Sequence, residues 1–224
     1  TAGRDLTVQS GGTIDAASHA QRNATLFATG AISGNVHATD GDADVTTGDI
    51  LSGNVTAGGS LTVSALGEIS GDLIAGADAD VGSFGTLSGS LHADGDASVQ
   101  VTAAVSGDVY AGNDAFIQAD GEVTGATTAG HDASVTTLNR LGGSVNAGHN
   151  ASVLSYMSLA GNVTAANDAD LVSWGNATAN FTAGGNLSLE VASSATDTLN
   201  ATGNADLSFG SYAALHITVG GDLS

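Results

Sequence analysis

The chain has 224 residues, a formal net charge of -20, and neither cysteine nor proline. Three basic side chains against 23 acidic ones exclude ordinary nucleic-acid binding, which needs Lys and Arg to neutralise phosphate. They also argue against docking on anionic membrane surfaces. No run of 18 apolar residues is present, so the sequence predicts no membrane-spanning helix.

An 18-residue repeat organises the whole sequence, and its clearest copy covers residues 71–88. An Asp or Asn follows an Ala-Gly-x step in nearly every copy. The column contains Asp5, Asn23, Asp42, Asp78, Asp96, Asp114, Asp132, Asn150, Asp168, Asn186, Asn204 and Asp222, with Ser60 as the exception. Successive members are one repeat apart, except that one additional residue separates Asn23 from Asp42. We expect the extra residue in a turn, near Thr39 to Gly41.

Each repeat contains three short apolar segments, which occur in residues 71–88 as Leu73-Ile74-Ala75, Ala79-Asp80-Val81 and Leu87. The corresponding columns are aliphatic or small along most of the chain. Apolar and polar residues alternate with period two, which is typical of short strands. Recurrent glycines mark the corners, where positive φ or close backbone approach is needed. No segment has the i, i+3, i+4 stripe of an α-helix.

These observations predict an all-β, single-stranded parallel β-helix of about twelve triangular coils of 18 residues, with no α-helix. The unbroken register predicts one domain over residues 1–224. A six-residue apolar period is also typical of left-handed β-helices, but those need a small residue where this chain has Leu73, Leu91 or Val109. We therefore favour the right-handed form. The start within a repeat and the missing polar caps predict a segment of a longer repeat protein, or a unit that assembles end to end.

The coil sequences resemble the repeat region of filamentous haemagglutinin-like exoproteins. The resemblance rests on Ala2–Val8, Ala57–Val63 and Ala183–Leu189, and it extends over the whole chain. It implies a large bacterial adhesin, exported by two-partner secretion, with a right-handed β-helical shaft. The repeat is slightly shorter than the one commoner in that group, and the amino-terminal secretion domain is missing.

A second resemblance is to the bactofilins, and it rests on the 18-residue coil with Ile69–Leu73 and Leu87–Leu91. Bactofilins are cytoskeletal proteins whose right-handed triangular β-helix polymerises end to end. They are usually half as long and have disordered tails. The Thr/Ser/Asn-rich, lysine-free surface of this chain fits an exported shaft better.

The Asp/Asn column is the most conspicuous candidate site. We expect these side chains to cap turn N–H groups as Asx turns, and a row of bound cations is the alternative. The pattern differs from the Gly-Gly-x-Gly-x-Asp nonapeptide of calcium-binding β-rolls. His131 and His149 occupy one column in adjacent coils and could share a metal ion. Because Asn113 and Asn167 are poor ligands, we expect no metal site.

Catalytic residues, cofactors and metals are not predicted. Arg4 and Arg22 are near one end of the chain, Arg140 has no charged neighbour in sequence, and every turn is short. We expect the aromatic residues to be scattered over the columns without forming a stacking platform. Those residues are Phe27, Phe84, Tyr110, Phe116, Tyr156, Trp174, Phe181, Phe209 and Tyr212.

The sequence therefore predicts a structural, non-enzymatic function. The expected protein is an extracellular or cell-surface shaft of a bacterial adhesin that presents a distal binding region. Its partners would be neighbouring repeats, other copies end to end, or host and neighbouring-cell glycans or proteins bound through other regions, with no nucleic acid and no membrane insertion. An end-to-end polymerising scaffold is the alternative. A glycan- or ice-binding face is less favoured because the outward column Thr62, Asp80, Ser98, Phe116 is chemically irregular.

Overall fold

The structure is a computed structural model that describes all 224 residues, Thr1–Ser224. It divides into two compact units, Thr1–Asn113 and Asp114–Ser224. Both are β-solenoids without helices, and together they contain about 12 turns of roughly 18 residues. The predicted parallel β-helix is therefore confirmed, as is the absence of α-helix. The structure has no helix that is long and apolar enough to cross a membrane.

The first unit contains twelve strands that form two faces. They are β1 (Leu6–Ser10), β2 (Ser18–Ala20), β3 (Ala24–Ala28), β4 (Val36–Ala38), β5 (Ala43–Thr47), β6 (Val55–Ala57), β7 (Leu61–Ala65), β8 (Leu73–Ala75), β9 (Ala79–Ser83), β10 (Leu91–Ala93), β11 (Ala97–Val101) and β12 (Val109–Ala111). Odd-numbered strands pair in the order β1-β3-β5-β7-β9-β11, and even-numbered strands in the order β2-β4-β6-β8-β10-β12. Single-residue parallel bridges form the third side, from Ile14 to Val105.

The second unit repeats this plan with fifteen strands. They are β13 (Ala115–Ala119), β14 (Thr127–Ala129), β15 (Ala133–Thr137), β16 (Arg140–Leu141), β17 (Val145–Ala147), β18 (Ala151–Ser155), β19 (Ser158–Leu159), β20 (Val163–Ala165), β21 (Ala169–Ser173), β22 (Asn176–Ala177), β23 (Asn180–Ala183), β24 (Leu187–Val191), β25 (Thr198–Ala201), β26 (Ala205–Phe209) and β27 (His216–Val219). Its faces have the orders β13-β15-β18-β21-β24-β26 and β14-β17-β20-β23-β25-β27, and the short strands β16-β19-β22 lie on the third side.

The pairing register follows the sequence repeat. Val63 pairs with Val81 and Leu73 pairs with Leu91, and in each pair the partners are one repeat apart. The extra residue lies where we expect it, because Ala38 still pairs with Ala20 at the ordinary repeat interval. Ala43 already pairs with Ala24, which is one position further away. The insertion is therefore within residues 39–42, in the corner between β4 and β5.

The core consists of the predicted aliphatic columns. Val81, Leu87 and Leu73 are each 0% exposed, and each represents one side of its turn. On the third side of the solenoid, Leu159 in one turn is followed by Ala177 in the next. On the face that contains β20 and β23, Val163 is followed by Phe181. All four side chains are fully buried. A smaller residue on one side thus accompanies a larger one in the same turn, which keeps the packed volume nearly constant.

Close backbone approach, and not positive φ, explains the corner glycines. No glycine in the structure has a positive φ. A Cβ on Gly71 would lie 2.6 Å from the Gly53 carbonyl carbon, and one on Gly161 would lie 2.6 Å from that of Gly143. Because both distances are well inside van der Waals contact, a larger residue at these corners would push successive turns apart.

Candidate functional site: bonded corners and a histidine cluster

The Asp/Asn column forms a ladder of hydrogen bonds between turns, which we call the corner ladder. The backbone N–H of Ser60 donates to Asp42 Oδ1 at 2.9 Å, and that of Asp96 donates to Asp78 Oδ1 at 2.9 Å. Asn serves equally well, since the Asp222 N–H donates to Asn204 Oδ1 at 2.9 Å. The side chains cap N–H groups as predicted. The expected Asx turns are wrong, because each partner belongs to the next turn.

A second ladder of the same kind lies at the corner that precedes the corner ladder in each turn, and it was not predicted from the sequence. The Asn54 N–H donates to Asn35 Oδ1 at 3.0 Å, and the Asp72 N–H donates to Asn54 Oδ1 at 2.9 Å. The Ser90 N–H continues it with a bond to Asp72 Oδ1 at 3.0 Å. The signal was visible in the sequence, as a polar residue directly after each glycine of the Ser-Gly-x corners.

Buried hydroxyl groups stabilise the third corner. Thr137 Oγ1 donates to the Gly121 carbonyl at 2.5 Å and accepts from the Asn139 N–H at 3.0 Å. Ser83 Oγ makes the equivalent pair with the Gly67 carbonyl, at 2.6 Å, and the Gly85 N–H, at 2.9 Å. Each hydroxyl thus pairs with an N–H of its own turn and with a carbonyl of the preceding turn, as a buried polar group requires.

His131, Asp132 and His149 form the one group of metal-ligating side chains in the structure, with one ligand atom of each within 4.8 Å of the others. Both histidines occupy the corner position directly before the ladder residue. His149 Nδ1 is 3.0 Å from Asp132 Oδ1. His131 Nδ1 is 3.0 Å from Asp114 Oδ1 and 3.5 Å from Asp132 Oδ2.

The imidazole rings of His131 and His149 are stacked, with centroids 4.6 Å apart and an interplanar angle of 14°. The structure therefore brings together the two histidines that the sequence placed in one column. Asp132 was not predicted as their third partner, because the sequence prediction weighed only residues in the same column as the histidines, Asn113 and Asn167. The hydrogen bond from the Asn150 N–H is the largest influence on the pKa of Asp132 and lowers it; desolvation opposes this, and the His149 and His131 imidazoles lower the pKa further.

Two further ring pairs stack between turns, although the sequence predicted only scattered aromatic residues without a stacking platform. Tyr156 and Trp174 stack with centroids 5.9 Å apart and planes 4° from parallel. His92 and Tyr110 stack at 4.5 Å and 5°. In both pairs the partners are one repeat apart, so the sequence contained the signal. Because these rings cover each other, they do not present one flat row of faces.

The arginines form surface ion pairs between turns. Arg22 Nη2 is 2.8 Å from Asp5 Oδ2, and Arg140 Nη1 is 3.0 Å from Glu122 Oε1. Arg140 is thus paired, although no acidic residue is near it in sequence. Such exposed pairs add little stability, typically about 0.2–1 kcal/mol.

An open groove of about 670 Å³ lies in the second unit, around Asn162, Thr178, Asn180, Asp197 and His216. It occurs where Ala179, Asp197 and Leu215 replace the corner glycine of other turns, and where β23, β25 and β27 are four residues long. Asp197 is 6% exposed. Its Oδ1 accepts from the Ala179 N–H at 2.6 Å, while Oδ2 is buried without a partner. Burial raises the pKa of Asp197, against the lowering effect of that hydrogen bond.

The fold defines a parallel β-solenoid protein with three-sided turns. No family model matches the chain, and no curated protein and no solved structure shows significant similarity to it. The resemblances to haemagglutinin-like exoproteins and to bactofilins therefore stay predictions.

Proposed function

We propose that this chain is a non-catalytic structural segment, the shaft of a secreted or cell-surface bacterial adhesin that presents a binding region elsewhere in the protein. The observation that carries the proposal is the use of the repeated polar side chains. Both ladders, and the buried hydroxyls of the third corner, bond to backbone groups within or between turns. These side chains hold the turns together through hydrogen bonds to the backbone.

Short corners support the same proposal. In the repeat that begins at Gly71, three residues (76–78) connect β8 to β9, and three (84–86) lead to the Leu87 bridge. Binding and catalytic groups are usually carried on longer loops above a rigid scaffold. A stack of nearly identical turns is instead suited to be a spacer, since its stability grows nearly additively with the number of turns.

The proposal is tested with the purified chain, by measuring its mass and its binding together. Light scattering and negative-stain electron microscopy over a range of concentrations should show a monomer. A glycan array and binding to host and bacterial cells should show no retention of the chain itself. Saturable binding to one glycan class would refute the passive shaft and favour a ligand-binding face.

The alternative function is an end-to-end polymerising scaffold, and the same micrographs decide it. Filaments one stack wide that lengthen with concentration would replace the shaft with this scaffold. Deletion of residues 71–88 gives a matched variant, because it removes one whole turn without changing the register. A spacer should keep its β-sheet circular dichroism after this deletion, whereas deletion of residues 71–79 should abolish the cooperative unfolding transition.

A further inference from the structure

We propose that His131, Asp132 and His149 bind a divalent transition-metal ion of the zinc and copper class. The site lies on the exposed corner formed by two successive turns of the second unit. His131 and Asp132 belong to one turn and His149 to the next, so a bound ion would cross-link the two turns. This inference is independent of the proposed shaft function.

Each carboxylate oxygen of Asp132 is already at a suitable distance from one imidazole nitrogen. Asp132 Oδ1 is 3.0 Å from His149 Nδ1, and Asp132 Oδ2 is 3.5 Å from His131 Nδ1. Metal bonds of about 2.0–2.2 Å place ligand atoms about 3.0–3.5 Å apart at octahedral or tetrahedral angles. The carboxylate thus lies between the two imidazoles at distances that a metal ion would also impose.

The separation of the two imidazole nitrogens has to change when the ion binds. All three ligand atoms lie within 4.8 Å of one another, so the two nitrogens have to approach by up to about 1.3 Å to reach a tetrahedral separation. The lone pairs lie in the ring planes, and the stacked planes are only 14° from parallel. At least one ring must therefore rotate. This is easy here, because the two side chains are 57% and 45% exposed.

The donor set selects the kind of metal. Two imidazole nitrogens and one carboxylate favour Zn²⁺, Cu²⁺, Ni²⁺ or Fe²⁺, whereas Ca²⁺ and Mg²⁺ require mainly oxygen ligands. The remaining coordination positions would be filled by water on this exposed corner. Asp114, whose Oδ1 is 3.0 Å from His131 Nδ1, adds a second negative charge beside the ion.

Protons compete with the metal for the same atoms. In the metal-free arrangement, His131 Nδ1 is paired with Asp114 Oδ1, and His149 Nδ1 is paired with Asp132 Oδ1 and with Asn150 Nδ2 at 2.9 Å, so a metal ion has to displace these hydrogen bonds and any proton on the nitrogen. Imidazolium cannot act as a ligand. Metal binding should therefore release protons and weaken as the proton concentration rises.

The test is titration calorimetry of the full chain with ZnCl₂ and CuCl₂, together with a thermal melt in each metal. We expect one ion per chain, and a melting temperature that rises with metal concentration because only the folded chain holds the site. The double variant His131→Asn and His149→Asn should lose this binding. Asn is a suitable replacement, since Asn113 and Asn167 occupy the same position in neighbouring repeats.

Two further variants make the test specific. Asp132→Asn keeps the corner bond to the Asn150 N–H, as Asn does elsewhere in the ladder, but removes a ligand and should lower zinc affinity by at least about tenfold. His19 and His37 are also stacked, at 5.2 Å, but their polar neighbour is the Thr39 hydroxyl. Replacing both with Asn should leave zinc binding unchanged.

Several results would overturn the proposal. Zinc binding that survives loss of His131 and His149, or that disappears with His19 and His37, would place the site elsewhere. Unchanged affinity in Asp132→Asn would remove the carboxylate from the site. Binding of Ca²⁺ in preference to Zn²⁺ would contradict the donor chemistry. Circular dichroism of each variant shows whether it retains the fold.

Discussion

Replacing two glycines with alanine should have opposite effects on stability. Gly71 lies at a corner, where a new Cβ would be 2.6 Å from the Gly53 carbonyl carbon and closer still to its oxygen. Gly82 lies in β9, where the nearest atoms to a new Cβ are the Val63 carbonyl oxygen at 3.9 Å and Ser64 Oγ at 4.0 Å. The chemical change is identical, so any difference comes from the space between turns.

The expected magnitudes follow from these contacts. At Gly71 the obstacle is backbone, and the Ser70 N–H is held by the Leu51 carbonyl at 2.9 Å, so the turns cannot separate without weakening their bonds. Overpacking of this kind typically costs about 1–3 kcal/mol. At Gly82, alanine fits and lowers the entropy of the unfolded chain, which should add about 0.5 kcal/mol.

Thermal unfolding monitored by circular dichroism measures both effects. For a chain of this size, 1 kcal/mol corresponds to about 2–4 °C. Gly71→Ala should therefore lower the melting temperature by several degrees, up to about 12 °C, while Gly82→Ala raises it by about 1–2 °C. Equal melting temperatures for the two variants would show that close approach between turns does not explain the corner glycines.

The other predictions concern the ladder, the buried carboxyl and the core. Asp78→Ala should cost about 1 kcal/mol in urea denaturation because the Asp96 N–H loses its acceptor, whereas Asp78→Asn should be nearly neutral; equal losses would refute the capping role. The raised pKa of Asp197 means that the native chain loses stability as pH rises through that pKa. The free energy of unfolding of Asp197→Asn should therefore exceed that of the native chain by a larger margin at pH 7 than at pH 4. A margin that does not vary with pH would contradict this. Phe181→Ala should cost about 3–5 kcal/mol in urea denaturation, and a loss below about 1 kcal/mol would contradict tight packing.

The histidine and aromatic pairs show how far the repeat alone can predict contacts. In a parallel stack, the nearest neighbour of a residue on an adjacent turn is usually the residue one repeat away, so His131–His149 and Tyr156–Trp174 are pairs that the sequence contains. Their stacking could have been predicted. The contact of His149 with Asp132 joins positions that are one residue short of a full repeat, and it depends on the way in which the corner directs the two side chains.

The groove illustrates a different limit. Asp197 occupies the position of a corner glycine, and its burial is not evident from a sequence in which most acidic residues are on the surface. The packing of the turns on either side decides whether a groove forms and buries the Asp197 side chain, or whether that side chain points into solvent. The partnerless Oδ2 and the raised pKa are consequences of that packing.

The repeat was enough to predict the length of the turn, the three sides, the core columns such as Val63 and Val81, and the position of the extra residue after Ala38. This was possible because, in a parallel stack with a fixed period, each residue lies beside the residue at the same position of the next repeat. The folded chain was needed to show which N–H each corner side chain caps, why the corner glycines are required, and which groups meet at Asp132 and Asp197. These features depend on corner geometry and side-chain rotamers, and the repeat does not encode them.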